Sequence, residues 1–150
     1  MTDFTFTLKG EWKGSWDGTG LIRTKGIETD ISVDTSMKGR SIGTNPDELL
    51  LSALASCYMI TLGIRLEKEQ LAYDHISIRT TGVVTKKGGL HFEKVVHKPV
   101  IFVPGKMTQK RQEQLLKAVR QAEQDCMVAK AVYGNVRVTV EPVFETFSLN

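Results

Sequence analysis

Phe4, Phe6 and Leu8 alternate with Thr5, Thr7 and Lys9, the period-two pattern of a strand with one buried face. Gly14, Gly18 and Gly20 break the next stretch into turns. Residues 21–24 and 27–33 read as two further short strands, so the N-terminal third predicts a small antiparallel meander. The pattern then changes. Asn45-Pro46-Asp47-Glu48 joins an N-cap residue, a proline suited to the first helical position and an acid three residues after the cap. Two acids there also favour the positive end of the helix dipole. A helix is expected from this point to about Gln70. Leu49, Leu50, Leu51, Leu54, Met59, Ile60 and Leu62 make its first four turns apolar nearly all round, whereas residues 65–70 are mostly charged.

Strands return over residues 76–85 and 90–103, separated by the turn signal Lys86-Lys87-Gly88-Gly89. Pro99 predicts an edge or bulge position. Thr108 opens a second helix through about Asp125, with Leu115, Leu116, Val119, Ala122 and Cys126 as its apolar stripe. A short third helix covers 127–132 and ends near Gly134. Val136, Val138 and Val140 form a last strand, which Pro142 brings to an end. The order is β-β-β-α-β-β-α-α-β in one domain, residues 1–150. Clustered strands give the α+β class with a largely antiparallel sheet. The first helix is too apolar for one thin sheet to cover, which predicts a homodimer.

Composition narrows the function classes. Twenty basic and 17 acidic residues leave a net charge of +3, well short of the basic bias of a nucleic-acid binder. The N-terminal residues carry Asp3 and Lys9 and no continuous apolar run, so no signal peptide is expected and the cytoplasm is the expected compartment. The uncharged run 49–64 includes Ser52, Ser56, Thr61 and Gly63 and falls short of a membrane span. Two cysteines make no disulfide scaffold. Cys57 and Cys126 stand 69 positions apart, with no Cys-x-x-Cys spacing.

On composition alone, each cysteine reads first as a small core residue on an apolar helix face. The chemical reading needs both: one thiolate attacks an oxidant and the other resolves the sulfenic acid. A nearby cation would lower the pKa of Cys57, and Arg40, Lys38 and Arg23 are the candidates before the helix. His75, His91 and His97 are too scattered to predict a metal site. Ser52 and Ser56 lie in no nucleophile elbow. Gly14-Ser15-Trp16-Asp17-Gly18 opens no helix and reads as a hairpin turn rather than a phosphate loop.

Gly43-Thr44-Asn45-Pro46-Asp47-Glu48-Leu49-Leu50, with Cys57 ten positions after Asp47, resembles the first signature of the OsmC/Ohr family, the osmotically inducible and organic hydroperoxide resistance proteins. The run of Ala122-Glu123, Cys126 and Gly134-Asn135-Val136, with the valine-rich strand after it, resembles the family's second signature. The resemblance covers essentially the whole chain. It implies antiparallel sheets around a long central helix carrying a cysteine, and an intertwined homodimer. It further implies a thiol peroxidase, better on organic hydroperoxides than on hydrogen peroxide. Cys57 would be the peroxidatic thiolate and Cys126 the resolving thiol, with an external dithiol such as dihydrolipoamide as reductant and no bound cofactor or metal. Leu50, Leu54, Met59 and Trp16 would offer the apolar surface for the hydroperoxide.

The chain also departs from the family pattern. The arginine of the hydroperoxide-resistance branch falls on Trp16, and that of the OsmC branch falls on Met37, leaving Arg40 or Lys38 as the nearest cations. The family glutamate is Asp47, and the proline after the second cysteine is Met127. The competing reading is a non-catalytic dimer of the same fold that binds a small molecule or senses redox state.

Overall fold

The computed structural model describes residues 2–149. The elements are β1 (Lys9–Lys13), β2 (Thr19–Arg23), β3 (Glu28–Ile31), a 3-10 turn (Thr35–Met37), α1 (Pro46–Lys68), β4 (His75–Thr85), β5 (His91–Pro104), α2 (Gln109–Asp125), α3 (Met127–Val132), β6 (Arg137–Val140) and β7 (Val143–Phe147). They form two compact units that meet along the chain at Leu50 and Leu51.

The first unit is the antiparallel meander β1-β2-β3. Its first strand is not the one that alternation predicted. β1 pairs with β2 from Lys9↔Arg23 to Lys13↔Thr19, and β2 ends at Arg23, so residues 4–8 have no strand to pair with. Phe4 and Phe6 are 81% and 92% exposed. After β3, buried Ser32 ties the returning chain: its hydroxyl donates to the Ile42 carbonyl at 2.8 Å and accepts the Ile42 N–H at 2.6 Å. Gly43 lies next at φ +68°, where a Cβ would be 2.0 Å from the Asp30 carbonyl oxygen, so both conformation and space require glycine. The helix start is as expected. The Asn45 side chain accepts the Glu48 N–H at 2.8 Å, and the Thr44 hydroxyl donates to the Glu48 carboxylate at 2.9 Å.

In the second unit β5 is the central strand. β4 pairs with it antiparallel, and β6 and β7 pair with its other side in parallel. The parallel pairs require a crossover, which α2 and α3 supply. β7 went unpredicted because Pro142 reads as an end. In fact it interrupts one long edge: β6 pairs with residues 94–97 and β7 with residues 100–104 of β5. Pro99 lies in that gap. It is buried on the central strand rather than on an edge, and the irregularity in the ladder lies instead at Val83/Val84.

The core joins Tyr58, Leu62 and Leu66 of α1, Ile101 and Val103 of β5, and Leu115, Ala118, Val119 and Ala122 of α2. Burying a leucine fully contributes about 1.5–3 kcal/mol. Leu54, Tyr58, Leu62 and Leu66 recur every fourth residue, so α1 buries one stripe. Ile60 and Ile64 on another stripe stay 62% and 54% exposed. By length and composition alone α1 could cross a membrane. Here it ends at Lys68, and its Leu54–Leu66 stripe is buried.

Candidate functional site

Cys57 and Cys126 face each other in the second unit. α1 carries Cys57 beside the core, half-buried, and Cys126 sits in the break between α2 and α3 with 1% of its surface exposed. At φ −60° and ψ 112° Cys126 leaves the helical path, and α3 starts afresh at Met127. This break turns the first N–H groups of α3 toward the sulfurs. Burial pushes the Cys57 thiol up. The Val128 N–H, the Cys126 thiol, the Thr61 hydroxyl and the Met127 N–H act against burial, and the balance falls below the ordinary thiol value. Cys126 moves the other way. Burial and the neighbouring Cys57 push it up to about 11, against the pull of the Ala129 and Val128 N–H groups. Cys57 therefore gives up its proton first, and Cys126 keeps its own and donates it.

Two contacts fix α1 against α2 on either side of the pair. The Tyr58 hydroxyl donates to the Val119 carbonyl at 3.2 Å. Arg65 donates to the Asp125 carboxylate at 2.7 Å, one residue before Cys126, and Gln121 donates to the other Asp125 oxygen at 3.1 Å. The Tyr58 ring also stacks on His97 with centroids 5.2 Å apart. His97 is 1% exposed, its Nδ1 lies 2.8 Å from the Thr80 hydroxyl, and burial lowers its pKa. It is a neutral core histidine.

The other predicted residues have separate settings. Asp47 is half-buried in the first turn of α1, and Arg40 is exposed beside a cavity of about 650 Å³ with Trp12 and Asp30, all in the first unit. Trp16 is 56% exposed in the β1–β2 turn, and Leu50 is half-buried. Leu54 is fully buried in the second unit, so its side chain faces protein rather than a substrate within one chain, and Met59 is half-buried. Sequence reasoning sought a cation for Cys57 and missed the Met127 and Val128 N–H groups. The signal was the short third helix restarting directly after Cys126.

The family model for OsmC-like protein matches residues 37–141, from the turn before α1 to just past the end of β6. The chain belongs to the OsmC-like family. A relative in Bacillus subtilis strain 168, the uncharacterized protein YmaD, is 34% identical over 142 residues, 94% of this chain and 95% of that one. An OsmC-like protein of unknown function from Vibrio cholerae has the same fold at TM-score 0.80 and 19% identity, covering 94% of this chain and 100% of the other. An organic hydroperoxide resistance protein OsmC from Legionella pneumophila gives TM-score 0.72 at 19% identity, over 94% of this chain and 99% of that one. These OsmC-like structures match the α+β fold across both units.

Proposed function

We propose that this OsmC-like chain is a cysteine-based hydroperoxide reductase. The observation that carries this reading is the pair of facing thiols with opposed proton affinities. The Cys57 thiolate attacks the terminal oxygen of an organic hydroperoxide. The O–O bond breaks, the alkoxide takes a proton and leaves as the alcohol, and Cys57 becomes a sulfenic acid. The Cys126 thiol condenses with it, releasing water and forming the Cys57–Cys126 disulfide. An external thiol returns both cysteines to the reduced state. Two roles are carried over from the family resemblance: Arg40 as a cationic auxiliary and Asp47 as the acid of the signature. The organic hydroperoxide resistance protein from Legionella supports the reaction class through the shared fold.

The functional form is proposed to be a cytoplasmic homodimer. Ile60 and Ile64 of α1, and Phe4 and Phe6 near the N-terminus, are large apolar side chains left exposed by one chain.

Cys57→Ser is expected to abolish hydroperoxide consumption. Cys126→Ser is expected to react once and accumulate sulfenic or over-oxidised Cys57, seen by intact mass. Wild-type turnover in Cys57→Ser would remove Cys57 from the mechanism.

A further inference from the structure

A second feature of the 51–150 unit is outside the peroxide chemistry. A cavity of about 850 Å³ lies among α2, α3, the loop after α3 and β6, a size that suits a small-molecule ligand. Arg120 and Arg137 line it, together with Glu93 and Glu123. Among the described residues neither arginine forms an ion pair or a side-chain hydrogen bond. Arg120 acts on the Glu123 carboxyl only through space, and burial pushes that carboxyl up. The wall thus offers two unpaired guanidinium groups, one exposed carboxylate, and one carboxyl that holds its proton more readily than usual. Guanidinium groups of this kind are matched by carboxylates, and Glu93 by an ammonium group.

The location links this charge to the dithiol. Glu123 and Ala129, on either side of Cys126 in the chain, both line the cavity, and the Ala129 N–H donates to the Cys126 sulfur. The turn that carries Cys126 is therefore part of the cavity wall.

We propose that this cavity binds the reductant, and that the reductant is a low-molecular-weight thiol bearing carboxylate groups and an ammonium group. This rests on the disulfide cycle proposed above and narrows its last step. The bound thiolate attacks Cys126 Sγ, the Cys57–Cys126 bond breaks, and Cys57 leaves as the thiolate that the Val128 and Met127 N–H groups hold. A mixed disulfide between Cys126 and the small thiol remains. A second molecule of the same thiol attacks the small-molecule sulfur, releasing the symmetrical disulfide and the Cys126 thiol, which takes up a proton. Two small thiols are oxidised and one protein disulfide is reduced.

The test uses the full chain and its Arg120→Gln/Arg137→Gln variant, both changed positions being at the protein surface. S-methylglutathione, an unreactive carrier of two carboxylates and one ammonium, is titrated into reduced protein by calorimetry. Saturable binding is expected, weakened about tenfold or more in the variant and by added salt. Absence of saturable binding, or equal affinity in the variant, would overturn the proposal. Diamide-oxidised protein is then reduced with glutathione and with neutral 2-mercaptoethanol at matched thiolate concentration. Glutathione is expected to act about tenfold faster on the wild type only. Binding without that rate preference would overturn the reductant role. Hydroperoxide consumption with dithiothreitol is measured in parallel. Its failure would count against the peroxidase reading, whereas the calorimetry reports on the cavity either way.

Discussion

The two units of the chain have opposite characters. The second holds nearly all of the apolar core, both cysteines and the contacts that fix them. The first buries Gly18, Ser32 and Asn45, and carries Phe4, Phe6, Leu8, Trp12, Trp16 and Ile27 exposed. One unit can therefore be understood from its own packing. The other is held by its strand ladder and by turn chemistry at Ser32, Gly43 and Asn45, with apolar surface to spare. The contrast teaches that the proposed chemistry needs only the second unit's scaffold for its thiols, while the first unit is built to meet further surface. In the proposal that surface belongs to a second copy.

The largest stability effect should come from the core. Leu62→Ala is expected to cost about 2–5 kcal/mol in chemical denaturation, because it empties a fully buried site shared by α1, β5 and α2. A loss below about 0.5 kcal/mol would show that the α1 stripe is not the core that its burial describes.

A smaller effect concerns pH. His97 has a folded value below its ordinary one, so the unfolded chain takes up a proton before the folded chain does. Stability should fall as pH drops below about 6.5, by up to about 1.4 kcal/mol per pH unit, until the folded His97 itself protonates. His97→Phe should flatten that part of the curve. An unchanged slope between wild type and variant would show that His97 is not the group responsible.

The smallest effect on folding should lie in the first unit. Phe6→Ala is expected to change unfolding stability by less than about 0.5 kcal/mol at low protein concentration, since the ring touches solvent rather than core. The same change should weaken self-association in sedimentation experiments. A large loss of stability in dilute monomer would mean that the first unit has a core of its own.

Much of this was legible in local sequence. The Asn45-Pro46-Asp47-Glu48 start, the Thr108 cap and the helix break near Cys126 all use short-range hydrogen bonding, and each was read correctly. What failed depended on partners. Residues 4–8 alternate like a strand, but β2 is too short to pair with them. Pro142 looks like a terminator, yet β5 is long enough to seat strands on both sides of it. The candidate site obeys the same rule. Two cysteines at family spacing identify the thiols, while their opposed proton affinities depend on where α3 points its N–H groups, which no spacing encodes.

The most direct measurement is a thiol titration with intact mass on reduced protein mixed with one equivalent of an organic hydroperoxide. The account predicts rapid loss of both thiols and a mass lower by about 2 Da per chain, the signature of the Cys57–Cys126 disulfide. Survival of both thiols in a large excess of oxidant would contradict it and leave two inert core cysteines.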